Sequence, residues 1–259
     1  MGKIANLVRF HTRRSASSEC LIALTGSGVT GRICVSARSA NRTDESGTMV
    51  KPPNNLAADT MLVWSMPEDL CLNYANTLSW RGSDKPVEKF HVLADILRWT
   101  QRSGAVRPAT TQQLSGWSRH HQAEAAELFA QAIAIREAMF RIFSAIAVAA
   151  AVPSKDFMVL SAALANAPAR HQLARLGQRC GWRLEPGEPS AARILAPVLW
   201  SAGDLMLNAP FRPIRRCTNE ECLWLFIDQS KNGTRRWCDM NSCGNRAKAR
   251  RHYAKIRGH

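Results

Sequence analysis

The chain has 259 residues, 46 % of them apolar and 7 % aromatic, which is enough to build a real core and excludes wholesale disorder. No uninterrupted apolar run reaches the roughly 18 residues of a transmembrane helix, so none is expected. Lys and Arg number 35 against 20 Asp and Glu, a formal charge of +15, and that excess points to a polyanionic partner such as nucleic acid.

The charge is uneven. Residues 212–259 carry 12 basic and 4 acidic side chains, net +8, whereas residues 61–211 are close to neutral at net +3. A basic end on a near-neutral body is the usual layout of a nucleic-acid-binding appendage. A solvated basic tail has the same composition.

In chain order, residues 1–60 are rich in Ser, Thr, Arg, Asn and Gly and have no sustained period. They read as disordered, or as lying ahead of a true start at Met49 or Met61. Arg9, Arg13 and Arg14 interrupt the place where a secretory signal needs its apolar stretch, so a reducing, cytoplasmic location is expected. Residues 61–210 read as one mainly helical domain with short extended pieces. The partial alternation of residues 70–78 suggests a strand. Pro86 opens a helix through Phe90, Leu93, Ile96 and Leu97 that stops at Gly104. Thr110 or Thr111 starts a short segment to Trp117. Residues 121–152 form the longest helical pattern, striped by Leu128, Ala132, Ile135, Met139, Ile142 and Ile146 and ended by Pro153. Ser154 caps the next helix, with Phe157, Leu160 and Leu164 facing in. Residues 172–185, with Gly177 and Gly181, read as a hairpin, and a last helix over 190–208 is kinked or begun by Pro197.

This body offers no catalytic constellation, so the chain is not expected to be an enzyme. His120 and His121 read as solvated. Glu124, Glu127 and Glu137 read as surface charges, and Asn73 and Asn76 as residues of local turns. Cys71 and Cys180 read as buried thiols; Cys20 and Cys34 lie in the suspected disordered part.

The remaining cysteines carry a pattern. Cys217, Cys222, Cys238 and Cys243 form C-x4-C, an interval of fifteen residues, and a second C-x4-C. Four thiolates close a tetrahedral zinc site and leave no open position, so the metal is structural and not catalytic. Disulfides are disfavoured in a reducing compartment, and an iron–sulfur cluster is disfavoured by the hairpin-like interval. In that interval Leu223-Trp224-Leu225-Phe226-Ile227 forms a strand, Asn232-Gly233 turns, and Thr234-Arg235-Arg236-Trp237-Cys238 returns as a second strand. Asp228 and Ser230 hold the turn. Residues 246–257 then form a helix bearing six Lys and Arg. Fold class is α+β: a mainly helical body with short hairpins, then a treble-clef-like finger over 212–259. So small a finger needs its metal to fold, and losing one ligand should unfold it while sparing the body.

Cys243-Gly244-Asn245-Arg246, preceded by Arg235-Arg236-Trp237-Cys238-Asp239-Met240 and by Phe226-Ile227-Asp228-Gln229-Ser230-Lys231-Asn232, resembles the CGNR zinc finger of bacteria. The body resembles the ABATE domain, a family described in terms of stress-induced transcription regulation. The string Leu72-Asn73-Tyr74-Ala75-Asn76-Thr77 and the stripe Ile135-Arg136-Glu137-Ala138-Met139 carry that resemblance, with Asn73 where the family more often has an acid. The resemblance implies DNA-binding regulation, with the body sensing a small-molecule effector, a partner or a second copy. Candidate nucleic-acid contacts are Arg235, Arg236, Arg246, Lys248, Arg250 and Arg251; Arg246 is equally a structural residue bonding carbonyls of the knuckle. An RNA- or ribosome-associated protein using the same finger is the alternative, with Trp224, Trp237 and Tyr253 either stacking bases or packing the module.

Overall fold

A computed structural model describes residues 61–257 apart from 64–65, 177, 186 and 210–212. The reading of residues 1–60, with Cys20 and Cys34, lies outside the described residues. In chain order the elements are β1 (Met61–Val63), α1 (Leu70–Ala75), β2 (Leu78–Ser79), β3 (Val87–Glu88), α2 (Leu93–Arg102), α3 (Pro108–His120), α4 (Gln122–Ala147), α5 (Ser154–Ala165), β4 (Leu173–Leu176), β5 (Arg179–Leu184), α6 (Ala191–Ile194), α7 (Ala196–Asn208), β6 (Ile214–Arg216), β7 (Leu225–Ile227) and α8 (Asn245–Arg257). A π-helical turn at Met240–Gly244 leads into α8. Among the described residues no helix is long and apolar enough to cross a membrane.

The fold is mixed α+β and is organised around α4. Helices α1, α2, α3, α5 and α6 pack on it, and so do β6 and β7. Its stripe is as periodic as the sequence requires: Ala132, Ile135, Met139 and Ile142 are buried, and Leu128 and Ile146 are partly so. The helix stops at Ala147, before residue 152, because Ala149 takes a left-handed φ of 53° that helix cannot continue through. Gly104 ends the α2 region with φ 74°, as its position suggests.

Several elements depart from the sequence reading. Residues 70–75 are helix, not strand. Leu70, Cys71, Leu72, Tyr74 and Ala75 are buried together, so no alternation separates two faces. The helix sits between α4 and α7, tied by the Ser201 hydroxyl accepting the Cys71 N–H at 3.1 Å and by the Tyr74 hydroxyl donating to the Ala132 carbonyl at 2.9 Å. Residues 86–92 are not helical. Val87–Glu88 pairs with Leu78–Ser79, and α2 starts later because the Asp95 carboxylate accepts the N–H groups of His91 and Val92. Helix α3 starts earlier than expected, at Pro108. In α5, Pro153 occupies the cap position and Ser154 the first turn. Phe157 is half exposed, whereas Asp156 turns inward and takes a bidentate pair from Arg141 at 2.9 and 2.7 Å. Cys71 is buried as expected but Cys180 is exposed.

The hairpin expected over 172–185 forms as β4–β5, and β1 adds to its β5 edge. The last body helix is broken into α6 and α7 with Pro197 in the first turn of α7, where its missing N–H costs nothing. The Ser190 hydroxyl caps α6 by accepting the Arg193 N–H.

The finger strands are not where the sequence put them. Residues 234–238 form no return strand; β7 pairs antiparallel with β6, which precedes the first cysteine. Side chains supply what a strand partner would have given. The Asp228 carboxylate accepts the N–H groups of Ser230 and Arg235, which curls the segment, and Gly233 turns with φ 59°. Ile214, Leu225 and Ile227 belong to the same apolar cluster as the body helices. Each side chain so buried contributes roughly 2 kcal/mol, so the finger hairpin is part of the body core.

Candidate metal centre and nucleic-acid interface

The four cysteines arrive from two places. Cys217 and Cys222 flank the first knuckle between β6 and β7, closed by the Cys222 N–H donating to Asn219 O at 2.9 Å and the Cys217 N–H to Trp224 O at 2.8 Å. Cys238 precedes the π-helical turn and Cys243 lies within it, and the Asp239 carboxylate caps that turn by accepting the Ser242 N–H. All four sulfurs lie within 4.8 Å of one another. Cys222 to Cys238 is 3.7 Å and Cys238 to Cys243 is 3.8 Å. Four sulfurs about 2.3 Å from a tetrahedral zinc stand about 3.8 Å apart, so the donor set fits the metal. Three of the four are buried. The thiols cannot all ionise alone. Thiolates packed this closely repel one another. A divalent cation offsets that repulsion. Its chemistry here is structural, since no ligand position is left for substrate.

The body takes part in the site. Trp80, with φ 56°, packs against the cysteine cluster, and the Arg246 guanidinium stacks on its ring at 4.3 Å. The Gly82 N–H donates to Glu221 O at 3.2 Å, and a Cβ at Gly82 would lie 1.8 Å from Glu220 O. Only glycine permits that approach. Leu223, on the knuckle side, is also left-handed at φ 59°.

A second clamp lies on β7. The Asn76 amide donates to Leu225 O at 2.8 Å and accepts the Leu225 N–H at 3.0 Å. It therefore pairs a finger strand from the body as another strand would, instead of bonding its own turn. Asn73 is exposed. The third element is a buried charge network. Arg136, 2 % exposed, pairs bidentately with Glu88 at 2.7 Å and bonds Glu137 at 2.9 Å. Glu137 also holds Arg81 at 2.6 and 3.0 Å, and Arg81 lies over Phe140. Burial raises both carboxyls, but the guanidinium hydrogen bonds outweigh it and hold Glu88 and Glu137 below the usual carboxylate range. Glu137 is thus no ordinary surface charge. The network fixes the β2–β3 hairpin on α4, and the turn of that hairpin carries Trp80 and Gly82 to the knuckle.

The predicted nucleic-acid contacts divide by position. Lys248, Arg250 and Arg251 lie on α8, of which no residue is buried. Arg236 is exposed beside Trp237. Arg246 is on α8 but spent on Trp80. Arg235 is the most engaged: its side chain donates to the carbonyls of Trp237 and Cys238 and lies over Phe226 at 4.5 Å. Trp224 and Trp237 pack on the cysteine cluster, whereas Tyr253 is 63 % exposed and packs in no core. His120 and His121 are exposed, and His121 stacks on Trp117. Asn76, Trp80, Arg81, Gly82 and the Arg136–Glu88 pair were not legible as site residues. Their partners lie tens of residues away, so spacing carries no signal for them.

Residues 68–208, more than half of the chain, match the family described as ABATE, putative stress-induced transcription regulator. The chain belongs to the ABATE family. Residues 214–255 match the CGNR zinc finger. The ABATE domain therefore precedes a zinc-binding finger, and the protein is a zinc-binding regulator with one structural zinc on Cys217, Cys222, Cys238 and Cys243. No curated protein is found to match it.

Proposed function

We propose that this ABATE-family protein is a DNA-binding transcription regulator and not an enzyme. The observation that carries the reading is α8: thirteen residues with none buried, six of them Lys or Arg and none acidic, projecting from the metal centre. A helix so charged gains little from packing and much from a polyanion. Lys248, Arg250 and Arg251 contact phosphates, and Arg246 orients the helix on Trp80. The body receives the signal, an effector or a second copy, and passes it through the Arg81–Glu137–Arg136 network to the finger.

The test is duplex DNA binding followed by fluorescence anisotropy over a salt series. These three phosphate contacts would lower affinity roughly fortyfold between 50 and 200 mM salt. Replacing Lys248, Arg250 and Arg251 by Ala should flatten the slope by about one unit per contact with zinc still bound. An unchanged slope, or no binding by the parent protein, would defeat the reading. Exposed Tyr253 favours a second one, base stacking on single-stranded RNA. Competition between duplex DNA, hairpin RNA and heparin separates the two.

A further inference from the structure

A cleft of about 490 Å³ opens between the C-terminal end of α4, β6 and residues 233–236. Arg215, Arg216, Arg235 and Arg236 line it, and no acidic residue does. The segment is held there by the Thr218 N–H donating to Arg236 O at 3.0 Å. Two of the arginines are spent on structure. Arg215 donates to Gly233 O at 3.0 Å, and Arg235 serves the carbonyls of Trp237 and Cys238. The other two are unspent. Arg216 is partly buried and its side chain makes no hydrogen bond or ion pair among the described residues, and Arg236 is exposed against the Trp237 ring.

Two groups could neutralise this charge, and neither does. Asp228 sits behind Arg215 at 3.9 Å, but its side chain is fully buried and its oxygens already accept from Ser230 and Arg235. The last turn of α4 contributes at most about half a negative charge, less than two free guanidinium groups. The Arg216 guanidinium has no acceptor among the described residues, and its planar fork matches a phosphate better than any monodentate anion.

We propose that this cleft is a second phosphate-binding surface, in which Arg216 and Arg236 hold phosphodiester groups of the same nucleic acid that α8 contacts. The assignment rests on the nucleic-acid reading above and extends it from one helix to the β6 side of the finger. Arg215 and Arg235 position the cleft and do not themselves hold the ligand.

The test is the double variant Arg216→Gln/Arg236→Gln, which leaves both positioning arginines and all zinc ligands in place. Zinc content and melting temperature should match the parent. The salt slope for duplex DNA should fall by about two units, shrinking the affinity loss between 50 and 200 mM salt roughly tenfold. The charge-matched pair Arg98→Gln/Arg102→Gln on α2 should leave the slope unchanged. Flattening in the Lys248/Arg250/Arg251 variant but not in the Arg216/Arg236 variant would overturn the cleft and spare DNA binding. Inorganic pyrophosphate separates a free anion from a nucleic-acid phosphate. Displacement of bound duplex by millimolar pyrophosphate in the parent, lost in the double variant, supports the proposal. Saturable, Arg216-dependent pyrophosphate binding that leaves duplex affinity untouched would assign the cleft to a free anion and overturn it.

Discussion

At the residue scale the structure depends on a few side chains that do the work of backbone. Asn76 is 5 % exposed and satisfies both polar groups of Leu225. Asn76→Ala should leave a buried N–H and a buried carbonyl unpaired, at about 2–4 kcal/mol, read as a lowered urea midpoint. Gly82→Ala places a methyl group against the Glu220 carbonyl, which is backbone and cannot rotate away. We expect a loss of about 1–3 kcal/mol and faster zinc transfer to a chromogenic chelator. Gly244→Ala makes the useful contrast, because there the nearest atoms are the end of the flexible, half-exposed Met240 side chain, and the change should be milder. Glu88 and Glu137 titrate below the ordinary carboxylate value in the folded protein. Their stabilisation is therefore fully present above a pH of about 4.3 and is lost as pH falls through the depressed folded values. Near-ultraviolet circular dichroism should show tertiary loosening below about pH 4, and Glu137→Gln should make the loss less steep with pH while lowering stability at pH 7.

At the element scale the β6–β7 hairpin is the joint of the molecule. Its outer end carries the knuckle and its inner side chains, Ile214, Leu225 and Ile227, fill the core beside α4. This packing argues against the sequence-based expectation that a lost cysteine spares the body. Cys222→Ser or chelation should loosen β7 and withdraw apolar surface from the body, at roughly 2 kcal/mol for each side chain exposed. Hydrogen exchange checks it: amides of α1 and α4 near Asn76 and Ile142 should lose protection on zinc removal. Unchanged protection there would mean that the hairpin stays docked without metal. Helix α8 contributes nothing to that core, so its amides should exchange fast with or without zinc.

At the scale of the whole molecule, the body and the finger share one hydrophobic cluster and are crossed by the Asn76, Trp80 and Gly82 contacts. Calorimetry of the zinc-loaded protein should therefore give one cooperative transition for both. Two separate transitions, the lower one removed by chelator, would show that the finger folds on its own. Those contacts form a continuous chain from Glu137 on α4 through Arg81 to the turn that packs on the zinc knuckle.

The sequence by itself determined the metal centre, the helical body and the distribution of charge. Those features are written locally: four thiols at fixed spacing, a 3.6-residue stripe along α4, and Lys and Arg gathered in the last 48 residues. The β4–β5 hairpin and the turn at Asn232-Gly233 were legible for the same reason, since glycines and turn formers act within a few residues. Only the tertiary structure decided that residues 70–75 are helix, because a short apolar run buried on every side has no period to read. Only it paired β7 with β6 instead of residues 234–238, because Asp228 and Arg235 take the backbone groups a return strand would have used. The finger's seat on the body was equally unreadable. Asn76 meets Leu225 across 149 residues and Arg81 meets Glu137 across 56, and such contacts are chosen by which surfaces pack, not by spacing along the chain.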